Sequence, residues 1–138
     1  MKRLFLILQT FVCVITGWAY DIEVDGIYYN MDRESHMLEV THSGHDYLVE
    51  NSYAGDVVIP SVVNIDGVEY TVVRVGPGTF QHCTGLTSVT IPNSVTEIGN
   101  SAFWMCKELT SVNIPESIKS IGAFVFGFCM GLTSINIP

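Results

Sequence analysis

The chain has 138 residues, 48% of them apolar, and a formal charge of −8, which suits one domain with a buried core. An acidic balance argues against nucleic acid or an anionic membrane surface as a partner, since both require a basic patch.

Residues 1–19 have the layout of a signal peptide. Lys2 and Arg3 give a positive start, Leu4 to Ile15 is an apolar run, and Gly17-Trp18-Ala19 ends in a small residue suited to cleavage. The run is short for a membrane span and carries Gln9 and Thr10. Export with cleavage after Ala19, and no membrane insertion afterwards, is the expectation. A lipoprotein signal would need small residues before Cys13, where Phe11-Val12 stand. Loss of Lys2 and Arg3 leaves a charge of −10, all of it in one place. Residues 20–69 hold eleven carboxylates against Arg33, whereas beyond them Glu97, Glu108 and Glu116 are balanced by Arg74, Lys107 and Lys119.

The acidic front, residues 20–56, reads as a β-rich cap. Asp21-Ile22-Glu23-Val24 and Ile27-Tyr28-Tyr29-Asn30 flank Asp25-Gly26, a strong short-range hairpin signal. Met37 to Thr41 is the next strand, followed by a polar loop through Ser43-Gly44-His45. Tyr53 to Pro60 closes on Ile59-Pro60, and a further hairpin is expected around Asp66-Gly67 with Val68 to Val72 as its return strand.

From Leu86 a 23-residue phrase repeats. Leu86-Thr87-Ser88-Val89-Thr90-Ile91-Pro92 returns as Leu109-Thr110-Ser111-Val112-Asn113-Ile114-Pro115, and again as Leu132-Thr133-Ser134-Ile135-Asn136-Ile137-Pro138. Val95-Thr96-Glu97-Ile98-Gly99 returns as Ile118-Lys119-Ser120-Ile121-Gly122, and Phe103 and Cys106 as Phe126 and Cys129. This period falls in the range of stacked solenoid coils, and of leucine-rich repeats in particular. Val89 and Ile91, two apart, share one face of a strand, while Ser88 and Thr90 face the other way. Proline ends each strand because it cannot donate to a ladder. One coil cannot bury its own apolar face, so stacking must align Leu on Leu, Ile on Ile and Phe on Phe. The expected solenoid spans residues 57–138: an atypical first coil at 57–85, full coils at 86–108 and 109–131, and a partial coil at 132–138.

The Ile-Pro after each strand, Val-Thr-x-Ile-Gly, and Phe-x-x-Cys-x-x-Leu-Thr-Ser resemble the BspA-like leucine-rich repeats of bacterial surface proteins. Tyr20 to Tyr29 resembles the lead-in found in that family. The likeness covers essentially all of the chain after residue 19. It implies an exported or surface-displayed protein, and some proteins of the family are adhesins for host proteins. Ser94 and Ser117 occupy the position where ordinary leucine-rich repeats carry asparagine, so the usual asparagine ladder is absent. The surface-anchoring tail of many longer relatives is not visible either.

Four constellations carry chemistry. His36, His42 and His45, near Glu39 and Asp46, are the one group with metal-ligand residue types, but their spacings of six and three on a strand and loop differ from H-E-x-x-H. They read as solvated histidines, and no metal or cofactor is expected. Cys83, Cys106 and Cys129 recur one period apart beside inward phenylalanines. They read as a ladder of buried, reduced thiols used as small apolar residues. Thr87, Ser88 and Thr90, Thr110, Ser111 and Asn113, and Thr133, Ser134 and Asn136 form a flat row of hydroxyls and amides with no charge, open to a protein or glycan. Trp104, Met105, Phe124 and Phe128 fall in loops where some must lie near the surface, packing between coils or offering a second binding patch.

The expected protein is therefore a strand-rich leucine-rich-repeat-type solenoid led by a β-hairpin cap, exported, non-catalytic, and built for binding or adhesion. Host surface or matrix components are among its candidate partners. A structural fragment of a longer repeat protein is one alternative, and a secreted metal-dependent enzyme using His36, His42 and His45 is the other. The third strand leaves Leu132, Ile135 and Ile137 uncovered on one side, so self-association there, or cover by further coils, is also expected.

Overall fold

The computed structural model describes residues 20–44 and 53–138, and among these it is built from strands and turns. β1 (Ile22–Val24), β2 (Ile27–Asp32) and β3 (Met37–Thr41) form an antiparallel meander, with Val24 opposite Ile27 across the first turn. That turn is Asp25-Gly26 with φ of 51° and 80°. Positive φ at both positions matches the right-handed twist of the flanking strands. β4 (Gly55–Val58) follows, and then β5 (Val62–Ile65) and β6 (Val68–Val75) make a second hairpin whose Asp66-Gly67 turn repeats the geometry at 53° and 83°.

The repeats supply β7 (Leu86–Thr90), β8 (Glu97–Ile98), β9 (Ser111–Asn113) and β10 (Ser120–Ile121). These sort into two sheets. In one, the meander continues directly into the stack in the order β1-β2-β3-β6-β8-β10, with β5 beside β6. The other is the parallel sheet β4-β7-β9. Partners on β7 and β9 lie one phrase apart in sequence, Ser88 opposite Ser111 and Val89 opposite Val112, and Glu97 faces Ser120 in the first sheet. β7 stops two residues before Pro92, as a residue without a donor requires.

One core runs from the meander through the stack. Tyr29, Leu38, Val40, Val72 and Val75 of the front pack with Phe80, Leu86, Ile91, Ile98, Phe103 and Leu109, all buried. Its spine is aromatic: Tyr53, Phe80, Phe103 and Phe126 follow one another at ring separations of 4.8, 5.0 and 5.4 Å. The last two pairs are stacked nearly parallel, because each ring is the same residue of the next coil. The Tyr53 hydroxyl is paid for inside this core, donating to the Thr41 carbonyl at 2.8 Å and accepting from the Tyr28 N–H at 3.0 Å.

Two expectations are corrected. Residues 132–138 form no strand. The phrase is the same, but no ladder to β9 forms. Cys83 and Cys106 are buried and reduced as expected, but Cys129 is half-buried. The Cys106 and Cys129 thiols donate to the carbonyls of Phe80 and Phe103, each at 3.0 Å.

Candidate functional site

The outward side of β4-β7-β9 is where the sequence-derived binding residues gather. In this sheet Val57, Val89 and Val112 stand in register and point to the core. With a side-chain period of two, their neighbours must point out. This puts Asp56, Ser88 and Ser111 in one cross-strand row and Val58, Thr90 and Asn113 in the next. Thr90, Ser111 and Asn113 are exposed and Ser88 is half-buried. Thr87 and Thr110 lie at the edge of the rows, where the Thr110 N–H and hydroxyl both donate to the Thr87 carbonyl, at 2.9 and 3.1 Å.

The face is not uncharged, as the sequence suggested. The Thr87 and Ser88 hydroxyls donate to Asp56 Oδ1 at 2.7 and 2.6 Å. These two bonds, the Ser88 one first, hold the Asp56 carboxyl below its ordinary pKa, so it is ionised throughout the neutral range. Asp56 and Val58 were legible in principle. Setting Ile59-Pro60 over Ile91-Pro92 places Asp56 at Ser88 and Val58 at Thr90. Thr133, Ser134 and Asn136 are exposed but belong to no strand, so the structure does not bring them into the rows.

The second candidate patch lies on the loops between the two sheets. Phe124 and Phe128 are 78% and 62% exposed, and Trp104 and Met105 are half-buried. Rings contact across coils: His82 meets Trp104 at 4.9 Å and Trp104 meets Phe128 at 5.8 Å, both edge to face. The backbone here repeats as well. Gly78, Ser101 and Phe124 have φ of 63°, 56° and 56°, and His82, Met105 and Phe128 of 61°, 61° and 58°. Left-handed backbone is cheap for Gly78 and costly for a phenylalanine.

The histidine group is dispersed in its contacts. The His36 ring packs on Tyr70 at 5.3 Å, and Glu39 pairs with Arg74 at 3.2 Å. His45 and Asp46 lie outside the described residues, and so do residues 1–19. No trio of potential ligands is assembled among the described residues. Ser117, at the asparagine position of ordinary repeats, donates to the Val95 carbonyl at 2.7 Å and so ties its coil to the one before.

A family model described as the BspA type leucine rich repeat region matches residues 58–138, in six copies. Among solved structures, the chain is similar to a leucine-rich repeat protein from Bacteroides ovatus, with 39% identity and a TM-score of 0.75 over 86% of this chain and 30% of that one. A leucine rich cell surface protein from Faecalibacterium prausnitzii matches at 29% identity and a TM-score of 0.63, over 81% of this chain and 29% of that one. The T. pallidum leucine rich repeat protein matches at 28% identity and 0.67, over 85% and 50%. The chain thus spans about 30% of the Bacteroides ovatus protein's length. No curated protein matches. The chain belongs to the BspA-type leucine-rich repeat family.

Proposed function

We propose that this chain is an exported, surface-type binding module without catalytic activity, and that it takes a protein or glycan on the outward side of β4-β7-β9. The observation that carries this is the pair of aligned rows, Asp56-Ser88-Ser111 and Val58-Thr90-Asn113, in which hydrogen-bonding groups stand outside the core on a rigid sheet. Solenoids use such extended surfaces for binding. Family membership and the cell-surface protein among its structural neighbours support export or surface display. In this reading residues 1–19 are the signal segment and 20–56 the cap. The solenoid follows in 23-residue coils at 86–108 and 109–131, after an atypical coil at 57–85 and before a partial one at 132–138. Exposed Met130 and Ile137 support association beyond β9, with a second copy or further coils.

The loop patch is a second reading favoured by one observation. Phe124 bears left-handed backbone strain with its ring in solvent, so burial within the chain does not offset that cost. The test of both readings is a pull-down with residues 20–138 as bait against matrix proteins and a glycan panel. Retention of a defined target supports the binding function, and an empty pull-down across the panel contradicts it. The mass of the exported protein should show Tyr20 as its first residue, and an exported chain still starting at Met1 would overturn the signal assignment.

A further inference from the structure

β4 is an edge strand with one side unused. The Gly55 N–H donates to Gly85 at 2.9 Å and the Ile59 N–H to Thr90 at 3.0 Å, both toward β7. Alternation along the strand turns the N–H groups of Asp56 and Val58 the other way. Among the described residues no strand pairs there: β4 ends its sheet, and the neighbouring hairpin β1–β2 belongs to the other one. Between that hairpin and β4 run two clefts, of about 250 and 410 Å³, which share Asp25, Ile27 and Val58. Asp56 and Tyr53 line the smaller, and Tyr29, Pro60 and Val62 the larger. Val58 is 67% exposed and Val62 45%. The lining includes two carboxylates, Asp25 and Asp56, and no lysine or arginine.

An unpaired strand edge, the apolar wall of the larger cleft and two carboxylates together define what would fit. The geometry points to β4 as the docking strand for a short, extended, basic peptide. Its backbone pairs with Asp56 and Val58, an apolar side chain enters the cleft beside Ile27 and Val58, and a lysine or arginine meets Asp25 and Asp56. Strand addition of this kind takes its affinity from main-chain hydrogen bonds and its selectivity from pockets for alternate side chains. The fixed negative charge supplies the complementarity that selects a basic segment. β4 has four residues and an irregular register between Gly55 and Asp56. A short, irregular edge admits one brief segment while discouraging open-ended pairing. This site shares Asp56 and Val58 with the polar face but goes beyond it, because it uses the outer edge of β4, whereas the polar rows run across β7 to Ser111 and Asn113.

The probe is a capped hexapeptide alternating lysine and valine, titrated into residues 20–138 at low salt while backbone amides are followed by NMR. A glutamate–valine hexapeptide is the control. The lysine peptide should shift the Asp56 and Val58 amides, and the glutamate peptide should bind at least about tenfold more weakly. Val58→Pro removes the outward donor without touching the β7 ladder and should weaken binding by about tenfold. Asp25→Asn keeps a turn-compatible Asn-Gly pair, so it tests the charge even if the proline variant does not fold. It should weaken binding several-fold at low salt and less at high salt. Ser111→Ala with Asn113→Ala, on the polar face, should leave peptide binding unchanged, which separates this site from that one. Absence of binding, equal binding of the two peptides, or shifts that spare Asp56 and Val58 would each overturn the proposal.

Discussion

The Arg74 guanidinium lies 2.9 Å from the Glu97 carboxylate, and the two residues stand opposite each other on β6 and β8. Its other nitrogen reaches Glu39 of β3 at 3.2 Å. One cation from the balanced body is therefore shared between the acidic front and the first full coil. All three side chains are partly exposed, so water screens the pairs. Arg74→Met should cost about 1 kcal/mol or less, and the loss should shrink in high salt. Urea unfolding at two salt concentrations measures this, and a salt-independent loss would mean that packing dominates.

Position within the coil, and not residue type, should decide the cost of losing a phenylalanine. Phe103 is fully buried between Phe80 and Phe126, so Phe103→Ala should cost about 3–5 kcal/mol. Phe124 is exposed at φ 56°. Asparagine tolerates that backbone better, so Phe124→Asn should leave stability unchanged or raise it by up to about 1 kcal/mol. Thermal unfolding of the two variants checks the contrast.

Thiol chemistry should follow burial. Burial pushes Cys83 up to about 12, from an ordinary value of 9.0, and the neighbouring Cys129 thiol, with burial, raises Cys106 too. Native residues 20–138 should therefore label first at half-buried Cys129, with Cys83 and Cys106 reacting only in denaturant. The same shift sets a pH dependence. Between about pH 9 and 12 the unfolded chain has lost the Cys83 proton while the folded chain keeps it, so stability falls as pH rises through that window. Buried Tyr29 and Tyr53, also raised, add to the loss at higher pH. Labelling followed by peptide mapping, and melting temperature against pH, test these two statements.

Gly99 shows how closely the coils approach. A Cβ placed there would sit 2.5 Å from the Pro77 nitrogen and 2.8 Å from the Gly76 carbonyl carbon. Both are backbone atoms of the preceding coil, which cannot swing aside. Gly99→Ala should cost about 1–3 kcal/mol by forcing the coils apart. Chemical denaturation reads the cost directly, and a neutral result would mean the stack yields easily.

Much of this fold was legible because the sequence repeats its own physics. The Asp25-Gly26 and Asp66-Gly67 turns, the Met37–Thr41 strand and the inward Phe103 all follow from local chemistry and stand where expected. What was missed depends on register between strands distant in sequence. Asp56 joins the polar face only because β4 lies beside β7, 32 residues on, where Ser88 can reach it. The exposure of Phe124 was open for a related reason, since its counterparts in earlier coils are Gly78 and Ser101 and set no precedent for a ring.

The polar face is tested most directly by binding of the variant Thr110→Lys/Ser111→Lys/Asn113→Lys to any target that residues 20–138 retain. These side chains stand outside the core, and Leu109, Val112 and Ile114 beneath them are unchanged, so the fold should persist. Surface plasmon resonance should then show binding lost in the triple variant and kept in Trp104→Ala and Phe128→Ala. Binding that survives the three lysines and disappears only with Trp104→Ala or Phe128→Ala would contradict the account and move the site to the loops.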